Sequence, residues 1–274
     1  MPTKSKVTLR NVARSFLSPA GEVIQAIHDI NLDIEDMYSP EGRDIGEFRV
    51  LLGPSGCGKS TILRLIAGLD RPDSGEILVN GAPVIGPGRD RGMVFQKYTS
   101  FPWLDVYHNV EYGLKINGFP EAERRQTVQR LIEAVGLSGF DKSYPETLSG
   151  GMQQRVAIAR TLALRPSVIL MDEPFGALDA QTREDMQELL LKIWGETAST
   201  VLFVTHDVDE AIYLADHIYI LCARPGTIVE DVPVPFGRPR DRSIKQTEPF
   251  HLLQQHVLAC LRRAPGQGQV RVSV

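Results

Sequence analysis

GPSGCGKST, Gly53–Thr61, follows the apolar run Phe48-Arg49-Val50-Leu51-Leu52 and precedes ILRLIAGL, Ile62–Leu69. The order is strand, glycine-rich turn, helix start. In that context G-x-x-x-x-G-K-[ST] reads as a phosphate-binding loop. Gly53, Gly56 and Gly58 permit backbone angles that turn successive N–H groups to one side, with Pro54, Ser55 and Cys57 between them. The helix opening near Lys59 adds the positive end of its dipole. Lys59 is expected to reach the outer phosphates and the Ser60 hydroxyl to ligate Mg²⁺, with Thr61 closing the nucleotide-binding stretch.

The bulk properties bound what surrounds this loop. At 274 residues the chain holds one large domain, or one domain with a subdomain, and 42% hydrophobic content supports a full core. A net charge of −4 argues against broad nucleic-acid binding through phosphate attraction. Cys57, Cys222 and Cys260 are odd in number and scattered, with no metal spacing and no disulfide framework, so reduced structural thiols are expected. Cys57, inside the loop, is expected to let thiol reagents block nucleotide binding. The N-terminal MPTKSKVTLR lacks the long apolar region of a secretory signal. No apolar run approaches the ~20 residues of a spanning helix. Work at a membrane would require another chain to cross it.

Along the chain, residues 6–16 and 23–34 alternate as strands around a turn at Ser18-Pro19-Ala20-Gly21. Further strands are expected over 75–79, 92–95, 167–171, 200–205 and 217–221. Helical spacing covers 104–118, 121–136, 151–164, 182–194 and 208–215, the second opened by Pro120 and stopped by Gly136. Strands alternating with helices imply an α/β layer fold with a largely parallel core sheet. Beyond about Pro235 the pattern weakens. GRPRDR, Gly237–Arg242, reads as a polar connector, residues 248–263 as a terminal helix, and APGQGQVRVSV as a loose tail.

VILMDEP, Val168–Pro174, carries the second piece of chemistry. An apolar strand delivers two carboxylates at its C-terminal end, where α/β proteins place ligands. Asp172 is expected to hold Mg²⁺, directly or through water, and Glu173 to polarise the water that attacks the terminal phosphate. A solvated pair of strand-end acids is the plain alternative; the phosphate loop in the same chain weighs against it.

LSGGMQQR, Leu148–Arg155, matches the signature sequence of ATP-binding cassette proteins and lies between the two phosphate motifs, as in that family. The chain therefore resembles the nucleotide-binding subunit of an ABC transporter over roughly 7–233, almost its whole length. The resemblance implies a P-loop NTPase core with a mostly parallel sheet, an antiparallel β subdomain and an α-helical signature subdomain. It places the nucleotide-binding domain at 1–235, with the helical subdomain at about 97–160, and a C-terminal extension at 236–274. It further implies roles residue by residue. Gln96 in MVFQ corresponds to the glutamine that senses Mg²⁺ and the γ-phosphate, Asp179 in GALDA to the dimer-contacting aspartate, and His206 in FVTHD to the switch histidine. Phe16 falls where the family sets an aromatic ring against adenine, although a Phe in an alternating strand also reads as core.

By the same resemblance two cassettes pack head to tail around two ATP molecules. Each ATP sits on Lys59, Ser60 and Asp172 of one subunit and is covered by Ser149, Gly150 and Gly151 of the other. Ser-Gly-Gly suits that task, offering a hydroxyl and bare N–H groups at a helix start. The second cassette is the same chain or a paired one. A separate membrane permease, served by a substrate-binding protein, completes the assembly and places the chain peripherally at the cytoplasmic face of the cell membrane. Tyr98, Phe101, Trp103 and Leu104, just after Gln96, form an apolar cluster that reads as subdomain core, docking patch or both. FQKYTSFPWL and CARPGTIVEDVPV resemble importer cassettes for nitrate, sulfonate, taurine and related small anions. A cassette never touches the cargo, so its sequence holds no direct record of it.

EDMYSPEGRDI, Glu35–Ile45, departs from the family as an insertion of about nine residues, expected to be a surface loop that is either neutral decoration, which surface insertions favour, or a partner contact. Two rival readings stay open. One is a non-transport ABC ATPase working on a soluble macromolecule; the single cassette, the absence of a heptad run and the acidic balance weigh against it. The other is a regulatory module with degenerate chemistry; the intact set of Lys59, Asp172, Glu173 and His206 weighs against that.

Overall fold

Apolar residues in short unbroken runs become strands covered on both faces, and alternating runs become sheets with one covered face. In the computed structural model, which describes residues 5–35, 37–38, 44–97, 99–197, 199–223 and 225–263, both kinds occur. The chain begins with β1 (Ser5–Leu17), β2 (Val23–Glu35), β3 (Met37–Tyr38), β4 (Asp44–Ile45) and β5 (Phe48–Leu52). It continues through α1 (Lys59–Ile66), β6 (Ser74–Val79), β7 (Ala82–Pro83) and β8 (Arg91–Val94). Three helices follow, α2 (Val106–Ile116), α3 (Glu121–Ala134) and α4 (Gly150–Ala163), then β9 (Val168–Asp172), α5 (Ala180–Gly195) and β10 (Thr200–Thr205). The last elements are α6 (Val208–Leu214), β11 (His217–Cys222), β12 (Thr227–Pro233) and α7 (Glu248–Arg263). Two compact units divide the chain: 1–87 with 202–274, and 88–201.

The first unit holds an antiparallel sheet of order β2-β1-β6-β7. Val7 opposes Ile34 and Leu9 opposes Leu32, and all four are buried. The same unit pairs β5 with β11 in parallel, and β11 with β12 antiparallel. Every residue of β5 is buried, Arg49 included. A charge in that position is matched by Glu47 at 2.8 Å and Asp231 at 3.0 Å, with the Tyr219 ring 5.0 Å from the guanidinium. Burial is the main reason that the Glu47 carboxyl is held above its ordinary range.

In the second unit β8 and β9 are parallel, with Arg91 opposite Val168 and Val94 opposite Met171. Asn109, fully buried on α2, accepts from the Phe101 N–H at 2.8 Å and donates to the Leu104 carbonyl at 2.8 Å. That one amide fixes the loop before α2, and Asp105 caps the helix by accepting from His108 N–H. The cap explains why the helix starts at Val106 rather than Leu104.

Three expectations change. GRPRDR is not a solvated connector. Arg240 is buried, and its guanidinium donates to the carbonyls of Tyr213, Ala215 and Phe236, while Arg238 pairs with Asp216 at 2.9 Å. The segment therefore fastens to the end of α6. Residues 37–38 and 44–45 pair as a short antiparallel ladder at the feet of the insertion, whose middle lies outside the described residues. β12, absent from the strand expectations, completes the edge beside β11. The helix over 248–263 stands as expected; the tail beyond it lies outside the described residues, as does Tyr98.

Candidate functional site

The loop 53–61 joins β5 to α1 in the first unit. Gly56 and Gly58 take φ of +77° and +89°, the left-handed region where a side chain is strained. Their surroundings differ. A Cβ at Gly58 would collide with the Ile27 methyl and lie 3.0 Å from the Ala26 carbonyl, whereas nothing stands within 4 Å of one at Gly56. The loop is thus pressed against protein at Gly58 and open at Gly56. Gly53 is the third constraint, since its Cβ would sit 2.7 Å from the Leu221 carbonyl oxygen.

Lys59 is buried, and its ammonium donates to the carbonyls of Gly53 at 2.8 Å and Pro54 at 3.0 Å. Ser55 and Ser60 are exposed, and Pro54 and Thr61 are half-buried. α1 has no side-chain cap at its N-terminus and no acidic residue in its first turn. Its leading N–H groups and the dipole therefore favour an anion. Cys57 corrects the sequence expectation: its side chain is fully buried, and burial pushes its thiol above the ordinary range, so reagents meet neither an exposed nor an activated sulfur.

Elsewhere in this unit Phe16 is 40% exposed, with the Arg14 guanidinium 4.9 Å from its ring centre. The core alternative for Phe16 does not hold. His206 is exposed and follows β10; the next residue, Asp207, caps α6 by accepting from Glu210 N–H.

In the second unit β9 ends at Asp172, and Glu173 follows with φ of +42°. A left-handed glutamate costs of order 1–3 kcal/mol, a strain found preferentially at functional positions. The Gly176 N–H donates to the Glu173 carbonyl at 3.1 Å, closing the turn that holds this backbone. Asp172 and Glu173 are both half-buried, and Gln96 is exposed after β8.

Ser149 and Asp179 have intrachain roles that sequence reasoning missed. Each is an N-cap, Ser149 Oγ accepting from Met152 N–H at 3.3 Å and Asp179 Oδ1 from Thr182 N–H at 3.0 Å. The Thr182 hydrogen bonds hold the Asp179 carboxyl below its ordinary range. The two helix starts also meet. A Cβ at buried Gly151 would lie 2.8 Å from Thr182 Cγ2 in the first turn of α5. Gly151 is thus needed for close packing, whatever its N–H does.

The donors suit the groups they are expected to hold. An open glycine bend, a buried ammonium and an uncapped helix start fit phosphates. The Ser60 hydroxyl and Asp172 carboxylate are hard oxygen donors of the kind Mg²⁺ takes.

The ABC transporter family profile matches residues 44–176. A nitrate import ATP-binding protein from Synechocystis is 47% identical over 260 residues, covering 93% of this chain and 94% of the relative. The chain belongs to the ATP-binding proteins of ABC transporters. A taurine import ATP-binding protein from Roseobacter denitrificans is 45% identical, covering 84% of this chain and 83% of its own length. Among solved structures, a dimeric ATP-binding cassette in a post-hydrolysis state, bound to ADP and Pi, is 34% identical. It superposes with a TM-score of 0.72, covering 84% of this chain and all of that one. The cassette described here is accordingly an ATPase with the P-loop NTPase fold.

Proposed function

We propose that this ATPase energises uptake of a small anion, of the nitrate, sulfonate or taurine class, through a separate membrane permease. The observation that carries the chemical half is the loop 53–61, open at Gly56 and supplied with a buried cation by Lys59. The transport half rests on the nitrate and taurine importers among its relatives.

In this reading Lys59 and the loop N–H groups hold the terminal phosphates of ATP, and the exposed Phe16 ring carries the adenine. Ser60, Asp172 and Gln96 hold Mg²⁺, which when bound draws charge from the phosphate oxygens. Glu173 orients the attacking water and accepts its proton at the carboxylate. His206 donates to the γ-phosphate side and senses its loss. Ser149, Gly150 and Gly151 of a second cassette cover the same phosphates, and Asp179 lies along that contact. ATP then favours the closed pair, and hydrolysis removes the contacts that hold it.

Among the described residues no helix is long and apolar enough to cross a membrane. In this reading the work is delivered to another chain, from the cytoplasmic face. Trp103, 68% exposed and 5.4 Å from the Phe101 ring, is the proposed docking contact. Trp103→Ala should weaken permease capture while leaving ATP affinity unchanged.

The test is a pull-down of tagged Glu173→Gln protein from detergent-solubilised native membranes with ATP and Mg²⁺, read by mass spectrometry. A polytopic membrane protein is the expected partner, and its binding protein would report the anion. Only soluble partners, ribosomal or DNA-repair proteins among them, would leave the ATPase standing and move it to the non-transport class.

A further inference from the structure

α7 brings a second kind of chemistry to the far end of the chain. His256 and Cys260 are four residues apart and share one helix face. Opposite them stands Glu230 of β12. The His256 Nε2 lies 3.0 Å from a Glu230 carboxylate oxygen and 3.7 Å from the Cys260 sulfur, and the three ligand atoms lie within 4.8 Å of one another. From these distances and donor types we infer that Glu230, His256 and Cys260 form a zinc site that clamps the C-terminal helix onto β12.

The spacing is that of a metal's ligands. Zinc–nitrogen, zinc–oxygen and zinc–sulfur distances of about 2.0, 2.1 and 2.3 Å put tetrahedral ligand atoms roughly 3.3–3.6 Å apart. The separations of 3.0 and 3.7 Å lie just outside that range on either side, so a small side-chain adjustment seats the ion. A plain His–Glu pair uses a single N–H and needs no third member. Here one imidazole nitrogen faces an oxygen and a sulfur together. Without a metal the imidazole N–H and the Cys260 thiol can both donate to the Glu230 carboxylate, and a cation among the three takes the place of both protons. The donor set selects the metal. A thiolate, an imidazole and one carboxylate are too soft for Mg²⁺ or Ca²⁺ and suit Zn²⁺.

Burial separates the three roles. Cys260 is 5% exposed, so its sulfur is shielded from solvent, and a metal that takes it as thiolate releases the thiol proton to solvent. His256 is half exposed, which gives zinc an entry path and leaves room for water as fourth ligand. The pairing was hidden in the sequence because Glu230 lies on another element, and a cysteine beside a histidine on one helix is no motif alone.

The experiment uses full-length, untagged, metal-stripped protein without nucleotide or Mg²⁺. Zn²⁺ is titrated against a chromophoric chelator, and Co²⁺ is titrated in parallel. One equivalent of Zn²⁺ should bind, and Co²⁺ should give tetrahedral ligand-field bands with thiolate-to-cobalt charge transfer. Cys260→Ser should abolish the charge-transfer band. Cys260→Ser and His256→Ala should each weaken zinc by at least the roughly 10–100-fold that loss of an outer-shell partner costs. His256 is half exposed, so His256→Ala keeps the test valid if the buried serine disturbs folding. Zinc should raise the wild-type melting temperature and leave that of His256→Ala unmoved. No binding, binding without the charge-transfer band, or equal binding by both variants overturns the site.

Discussion

α1 and α4 both open on glycine-rich sequence, GCGKST and LSGGMQQR, but they start in different ways. α1 begins from Gly58 at φ +89°, a residue with no side chain to cap the first turn. α4 begins from Ser149, whose Oγ accepts from Met152 N–H. The first start takes no cap from its own N-cap residue, and its dipole favours an anion there. The second is finished by its own residue. A hydroxyl accepts and donates at once, so Ser149 can hold α4 while offering its hydrogen outward. α5, capped by Asp179, is finished in the same manner but by an acceptor alone. Glycine-rich sequence thus serves two ends: access at α1, and close packing against Thr182 at α4.

The largest effects should fall on the uncapped side and its carboxylate. Lys59→Ala removes the buried cation and should abolish or severely weaken ATP binding in a fluorescent-nucleotide titration; unchanged affinity would remove the loop from phosphate binding. Glu173→Gln should lower turnover on the order of 10²–10⁴-fold while keeping ATP binding and trapping a dimer. Sedimentation with ATP reads the dimer and a phosphate-release assay the turnover. Wild-type turnover would return Glu173 to the role of a strained turn residue.

Ser149 sharpens the contrast. Ser149→Ala loses the cap and should cost roughly 1 kcal/mol of stability. Ser149→Asp replaces one good cap with another, so its urea midpoint should stay near wild type. Its charge, however, faces the γ-phosphate of the opposing cassette in the proposed dimer, and ATPase activity should collapse. If Ser149→Asp hydrolyses ATP normally, the hydroxyl is a cap only and the shared site fails.

The strands and helices that position the phosphate loop were legible because their signals are local: buried runs at 48–52, 168–171 and 200–205, and a contiguous loop motif. What stayed hidden depends on distant neighbours. Arg240 reads as solvated charge until the carbonyls at the end of α6 are seen around it. Cys57 reads as exposed in a turn, yet the Gly53 backbone and the Lys59 side chain crowd its sulfur. β12 was missed because an edge strand with alternating burial and two acids, Glu230 and Asp231, carries a weak pattern. The candidate site divides likewise. Residue types at Lys59, Asp172 and Glu173 could be read off the chain; the left-handed backbone of Glu173 could not, since glutamate carries no preference for it.

The smallest effect tests whether Asp179 caps α5 as an ion. Its carboxyl lies below the ordinary 3.8 because the Thr182 N–H donates to it. The folded chain therefore holds this proton less tightly than the unfolded chain. The stabilisation is complete above the unfolded value and disappears as pH falls through the lowered folded one. Asparagine keeps an oxygen for the Thr182 N–H but has nothing to titrate. Nucleotide-free Asp179→Asn should thus melt close to wild type at neutral pH. The difference should shift in favour of Asn, by on the order of a degree, as pH drops below about 4. A difference that stays flat through this range would mean that the carboxylate does not bond Thr182 in solution, and Asp179 would be left to the dimer contact alone.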